Sequence, residues 1–258
     1  MNSATTLISL IILLPLAGFL INGLMGLGSE SFRRRKSLIG AIASLSVFVP
    51  FLIAVYFFLN MGQESAPIFA ELYTWFEVGS FSVDIAYQID QLSLVMTLVV
   101  TGVGSLIHLY SIGYMWDDQG YWKFFAYLNL FIFAMLNLVL ADNLLLLFLG
   151  WEGVGLCSYL LIGFWYTDME NAAAGSKAFW YNRVGDFAFL LAMFLTFQHV
   201  GSLDFDNILG SLEAIPTDDK FWIGLLMLIG ATGKSAQIPL FLWLPDAMAG
   251  PTSVSALI

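Results

Sequence analysis

The chain has 258 residues, of which 59% are hydrophobic and only 11% charged, and it carries a formal net charge of −10. Those proportions exclude an ordinary water-soluble domain and point to an all-α, polytopic transmembrane helical bundle. The single cysteine, Cys157, excludes a disulfide framework and a thiolate cluster for zinc or iron–sulfur, and two distant histidines, His108 and His199, argue against a bis-histidine haem.

Apolar runs long enough to cross about 30 Å of hydrocarbon occupy residues 7–27, 38–61, 91–115, 124–141, 143–165, 178–198 and 221–244, with an eighth helix beginning near Pro251. No basic residue precedes the first run and no small-residue cleavage site ends it, so it is expected to be a retained span in a single transmembrane domain over 1–258. Arg33, Arg34, Arg35 and Lys36 fill the loop after it. By the positive-inside rule that loop is cytoplasmic and the amino terminus lies outside. The alternation then places Glu64, Glu71, Glu77, Asp84, Asp90, Asp142, Asp204, Asp206, Glu213, Asp218 and Asp219 outside against Lys220 alone, which accounts for the whole net charge.

Residues 64–90 are too polar to insert, and the alternation over 80–87 predicts an outer strand or hairpin. The fourth and fifth runs meet at Asp142 and Asn143, so those helices are expected to form a tight antiparallel hairpin. Trp116, Tyr121 and Trp122 flank the turn at 117–120 and are expected to form an interfacial belt.

Three of the later runs contain ionisable groups at membrane depth, where such groups are costly and mark function. Counting inward from Asp142 at about 1.5 Å per residue, Glu152 lies about 15 Å deep. Gly150, Gly153 and Gly155 around it permit a close helix approach, and Ser158 offers a hydrogen-bond donor nearby. The sixth run carries Lys177, Arg183 and Asp186. Arg183 and Asp186 are three apart, so an intrahelical ion pair is expected. An arginine keeps its proton, which makes Arg183 an electrostatic tuner. Lys177 is close enough to the cytoplasmic end to snorkel.

In the seventh run Lys234 lies about 20 Å from the outer end, among Thr232, Ser235 and Gln237. Pro239 cannot donate to the carbonyl of Ser235, so a break or kink is expected beside Lys234. Broken helices at this depth are a device of ion-coupled transporters. Burial weakens a lysine's hold on its proton and a nearby carboxylate restores it, so Glu152 approaching and leaving Lys234 would move a proton. Packing is the expected role of His108, and an interfacial role that of His199.

Three blocks carry a family resemblance. They are Gly150-Trp151-Glu152-Gly153-Val154-Gly155-Leu156-Cys157-Ser158-Tyr159, Asn182-Arg183-Val184-Gly185-Asp186, and Gly233-Lys234-Ser235-Ala236-Gln237-Ile238-Pro239 continuing to Pro251-Thr252. In this order they resemble the antiporter-like subunits of proton-pumping NADH:quinone oxidoreductase (respiratory complex I) and of Mrp-type antiporters, and the first block favours the subunit L branch. The resemblance implies an antiporter-like fold of inverted repeats with a broken seventh helix, only the first repeat being begun here. It implies proton translocation by Glu152, Lys234 and Asp186, with Arg183 and Lys177 tuning them and Pro239 at the break.

It also implies that the chain binds no cofactor, and that NADH, FMN, iron–sulfur clusters and quinone belong to other subunits. The partners would be neighbouring membrane subunits in a bacterial inner membrane, and nucleic acid would not be among them. Ser253 stands where the family usually has proline, and the chain stops before the eighth-helix histidine, which suggests a fragment or incomplete product. An Mrp-type antiporter subunit, a membrane-bound hydrogenase subunit and a non-conducting scaffold with register-fixing charges are the alternatives.

Overall fold

The structure, a computed structural model, describes residues 3–62, 66–79 and 81–258, so Glu64 and Ser80 of the expected outer segment lie outside the described residues. In chain order it contains α1 (Ser3–Gly28), α2 (Glu30–Arg33), α3 (Lys36–Asn60), β1 (Ile68–Val78), β2 (Phe81–Ile89), α4 (Gln91–Tyr114), α5 (Tyr121–Leu140), α6 (Leu144–Ile162), α7 (Met169–Val200), α8 (Phe205–Gly210), α9 (Thr217–Lys234) and α10 (Thr252–Ser255), with short 3-10 turns at Leu212–Ala214 and Asp246–Ala249. Among the described residues, α1, α3, α4, α5 and α6 are long and apolar enough to cross a membrane. The chain is a multi-pass membrane protein. The charges on α7 and α9 keep those two helices out of the apolar set.

Two compact units divide the chain: Met1–Ala70, Tyr87–Leu140 and Pro251–Ile258 form one, and Glu71–Ala86 with Ala141–Gly250 form the other. In the first unit α1 packs on α5 and α3, and α3 and α5 pack on α4. Its interior is apolar with a few amides that tie helices together. Asn129 donates from Nδ2 to Ser46 Oγ at 2.7 Å and to the Ala43 carbonyl at 3.2 Å, joining α5 to α3. Small residues make the room: a Cβ at Gly40 would stand 2.8 Å from the Tyr121 hydroxyl. Tyr121 is accordingly buried and takes no part in an interfacial belt, whereas Trp116 is exposed. His108 is buried too, its Nδ1 2.8 Å from the Gly104 carbonyl. A carbonyl accepts only, so Nδ1 carries the hydrogen.

The hairpin expected between the second and third runs is present as β1 and β2, with Gly79 at φ 64° in its turn. A positive φ is a conformation glycine adopts without a Cβ penalty. α4 then starts with a capping box, Asp90 accepting from Ser93 N at 2.7 Å while Ser93 Oγ accepts from Asp90 N at 2.9 Å.

α5 packs with helices of the first unit and α6 with α7 of the second. What fixes the start of α6 is Asn143. Its Oδ1 accepts from Leu146 N at 2.8 Å as an N-cap, and its Nδ2 donates to the Asp84 carbonyl at 3.0 Å. Leu144 N donates to the Leu203 carbonyl at 2.9 Å and Phe205 N to the Asp142 carbonyl at 3.3 Å. This end of the second unit therefore ties β2, α6 and the segment after α7 to one another.

α7 runs 32 residues, nine longer at its start than the expected 178–198, because Asp168 caps it by accepting from Glu170 N at 3.0 Å. It ends at Gly201, φ 73°. His199 Nε2 lies 3.1 Å from Asp219 Oδ2, so the end of α7 is tied to the start of α9.

Candidate functional site

The seventh run does not form one helix over 221–244. α9 stops at Lys234, and the cause is a C-cap rather than a proline kink. Ala236 is left-handed at φ 48°, and Gln237 N reaches back to the Thr232 carbonyl at 3.0 Å, which is the Schellman arrangement with alanine where glycine is usual. Pro239 lies beyond the cap, where no helix remains for it to break. Trp243 secures the return, donating from Nε1 to the Gly233 carbonyl at 3.0 Å and packing with Ile162, Ala174, Ala178 and Ala247. Lys234 is thus the last residue of α9, where the negative end of the helix dipole favours a cation.

α9 can approach α7 closely because the contact is made of glycines. A Cβ at Gly185 would stand 3.0 Å from the Gly230 carbonyl oxygen and 3.3 Å from Gly233 Cα. Small residues at such a crossing let backbones meet. The next residue on α7 is Asp186, which is only 2% exposed and lies with its Oδ1 3.6 Å from Lys234 Nζ. Across from it, the ammonium fills the space above Gly155 on α6, where a Cβ would be 2.6 Å away.

Four charges therefore come together on three helices: Glu152 on α6, Arg183 and Asp186 on α7, and Lys234 on α9. Their pairing differs from the expected one. Arg183 Nη1 hydrogen-bonds Glu152 Oε2 and lies 3.7 Å from Asp186 Oδ2, so the intrahelical pair is the looser of its two contacts. Glu152 is engaged by the arginine, and the carboxylate beside Lys234 is Asp186. Arg183 also sits 4.5 Å from the centre of the Phe179 ring, which shields the guanidinium on its other side. Ser158 does not reach this group; its hydroxyl donates to the Val154 carbonyl at 2.9 Å within its own helix. Lys177 is remote from the four charges and donates to Asp246 Oδ2 at 2.6 Å, joining α7 to the 3-10 turn after the break. That pair is exposed on both sides, a surface bridge worth ~0–1 kcal/mol.

One member of the group was not expected. Trp151, next to Glu152, donates from Nε1 to Asp186 Oδ1 at 2.6 Å, and the centre of its ring is 5.7 Å from Lys234 Nζ. The ring is stacked on Phe189 at 5.3 Å and 11°, and Phe148 stacks on the same phenylalanine at 5.8 Å and 3°. The available signal was a tryptophan inside a glycine-rich apolar helix, since a buried indole N–H needs an acceptor.

Among the described residues outside the apolar helices, Asp142 is the perturbed carboxyl: burial first, and then the charges of Asp204, Asp206, Glu71 and Asp84, push it up to about 6.

A family model described as NADH:quinone oxidoreductase/Mrp antiporter, TM, matches residues 141–258, the part that carries the four charges. A second, described as NADH-Ubiquinone oxidoreductase (complex I), chain 5 N-terminus, matches residues 75–125. Proteins named NADH-quinone oxidoreductase subunit L are similar over nearly the whole chain. The one from Escherichia coli (strain K12) is 49% identical over 258 residues, covering 98% of this chain and 41% of that protein. The one from Mycobacterium tuberculosis (strain ATCC 25618 / H37Rv) is 47% identical over 249 residues, with 96% and 39% covered.

The chain spans about two-fifths of the length of these relatives. Among solved structures, a chain of the Mrp complex from Dietzia sp. DQ12-45-1b superposes with a TM-score of 0.82 at 25% identity, over 97% of this chain and 26% of that one. A chain of the archaeal membrane-bound sulfane sulfur reductase gives 0.79 at 23% identity over 96% and 37%, a likeness of fold. With an antiporter-like helical fold and two matching family models, the chain belongs to the family of membrane subunits shared by NADH:quinone oxidoreductase and the Mrp antiporters, and it is similar in sequence to subunit L of the former.

Proposed function

We propose that the chain is part of a proton-translocating membrane subunit of an NADH:quinone oxidoreductase, and that Glu152, Asp186 and Lys234 carry or gate the proton. The observation that carries this reading is the row itself: Glu152, Arg183, Asp186 and Lys234 alternate in sign across three helices, and every member has at least one oppositely charged neighbour. Such a row can shift its pairing without creating an isolated charge. Arg183 held by Glu152 leaves Asp186 to Lys234, and Arg183 drawn to Asp186 leaves the lysine without its carboxylate. Because a lysine's proton is held by neighbouring negative charge and released by its loss, the arginine's position decides whether Lys234 keeps or gives up a proton.

The remaining assignments belong to the same proposal. Arg183 and Lys177 tune the row; the end of α9 at Lys234, before Pro239, leaves backbone carbonyls beside the lysine that water can reach. Redox chemistry with NADH, FMN, iron–sulfur clusters and quinone is assigned to other subunits, with adjacent antiporter-like subunits as partners. The basic run Arg33–Lys36 supports an amino terminus on the outside of a bacterial inner membrane.

The test is proton pumping by the assembled complex in sealed vesicles. Glu152→Gln and Lys234→Ala are expected to assemble and to lose pumping. Normal pumping by both variants would reduce the charges to scaffolding. An Mrp-type exchange activity is the second reading, favoured by the superposition on the Mrp complex; proton movement that requires a sodium gradient and no quinone would select it.

A further inference from the structure

The geometry points to Trp151 as a positioning residue that keeps Lys234 and Asp186 apart, so that the lysine's proton is held loosely enough to move; the inference rests on the proton-translocating reading above. Both the indole and the ammonium address the same atom. Asp186 Oδ1 is 2.6 Å from Trp151 Nε1 and 3.6 Å from Lys234 Nζ. The first distance is a short charge-assisted hydrogen bond and the second is outside hydrogen-bond range. Lys234 Nζ and Asp186 Oδ2 are both buried without a hydrogen-bond partner, although they belong to opposite charges on facing helices. A lysine and an aspartate left to themselves at this range would close to a direct pair. The tryptophan opposes it in two ways: its N–H holds the carboxylate by the near oxygen, in the orientation that leaves Nζ at 3.6 Å, and its ring face, 5.7 Å from Nζ, offers the ammonium a weaker alternative.

The indole is itself fixed. Phe189, which stacks on it, sits on α7 one turn from Asp186, so the two groups that hold the indole belong to one helix. The other charged groups facing Asp186 are Arg183 at 3.7 Å on its own helix and, behind the arginine, Glu152 on α6; among the described residues Lys234 is the charge from α9. The spacer role requires the N–H and not merely the ring.

The experiment is the initial rate of proton pumping against pH for the assembled complex in sealed vesicles, comparing wild type with Trp151→Phe and with 3-benzothienylalanine at position 151. Phenylalanine keeps an aromatic face for Phe189, and the benzothienyl group keeps the whole bicycle; both lack the donor. With the donor gone the lysine closes on Oδ1 and keeps its proton to higher pH. The expected result is a rate about tenfold lower at neutral pH, with the alkaline limb of the profile moved up by about one pH unit. The benzothienyl variant decides the matter if the phenylalanine variant fails to assemble. An unchanged profile in the benzothienyl variant, whatever its maximal rate, overturns the spacer role and leaves the ring as packing. Normal pumping by Lys234→Ala would instead overturn the underlying reading, so the two failures are told apart.

Discussion

Replacing Gly185 by alanine tests the close α7–α9 contact on which the meeting of Asp186 and Lys234 depends. The added methyl would stand 3.0 Å from the Gly230 carbonyl oxygen, 3.3 Å from Gly233 Cα and 3.4 Å from the Ile229 carbonyl oxygen. All three are backbone atoms of α9, which cannot rotate out of the way as a side chain would. The helices must part by a few tenths of an ångström along the crossing, and such overpacking costs about 1–3 kcal/mol. Against it stands the gain of up to about 1 kcal/mol from placing alanine instead of glycine in a helix.

Gly224→Ala supplies the control, since nothing lies within 4 Å of its added methyl. It gains the propensity and none of the clash. The difference between the two variants therefore isolates the contact, and unfolding in mixed micelles should place Gly185→Ala about 1–3 kcal/mol below Gly224→Ala. Two variants agreeing within about 0.5 kcal/mol would refute the steric reading. Loss of pumping is expected in Gly185→Ala and not in Gly224→Ala, because only the first moves Lys234 away from Asp186.

Two further outcomes follow from the same geometry. Gly155→Ala puts its methyl 2.6 Å from Lys234 Nζ and against nothing else within 4 Å. The flexible ammonium yields, so unfolding should change by less than about 1 kcal/mol while pumping at neutral pH falls about tenfold; a wild-type rate would show that the lysine does not work from that position. Asp142→Asn tests the acidic end of the second unit by unfolding at several pH values. The folded carboxyl, at about 6 against its ordinary 3.8, binds protons more tightly than in the unfolded chain, so this group lowers stability progressively as pH rises from about 4 through 6. The full shift corresponds to about 3 kcal/mol, which solvent screening of a half-buried group reduces to about 1 kcal/mol. The asparagine variant should be more stable than wild type by that amount at pH 7 and equal to it near pH 4; a variant no more stable at pH 7 would sink the assignment.

The apolar runs placed most of the helices, because length and composition are what a span requires. By themselves they could not place the end of α9. Residues 221–244 read as one hydrophobic stretch, and the break that Pro239 led one to expect beside Lys234 is found there for a different reason. The helix ends at Lys234 because Ala236 takes a left-handed conformation, which sequence reserves for glycine. What holds alanine there is tertiary: the Trp243 indole on the Gly233 carbonyl, from nine residues past the end of the helix. The length of α7 was missed for a related reason, since its first turns are polar and are set by the Asp168 cap instead of by hydrophobicity.

The members of the charge row were legible and their partners were not. The sequence put Glu152, Asp186 and Lys234 at membrane depth, but depth is one coordinate, and pairing needs the rotation of each helix about its axis. That rotation is set by Gly185 against Gly230 and Gly233, a contact between glycines with no side-chain pattern to announce it. Once α7 and α9 are locked so, Asp186 faces Lys234, Arg183 three residues earlier is turned toward α6, and Glu152 is its partner. A carboxylate expected beside the lysine is instead paired with the arginine. In such a row Glu152→Gln and Lys234→Ala remove different links: the first frees Arg183 to compete for Asp186, and the second leaves both carboxylates to the arginine. Arg183→Gln in the Glu152→Gln background should therefore restore the Asp186–Lys234 contact that the single variant weakens, and with it part of the pumping, whereas a row of independent pairs would lose activity twice.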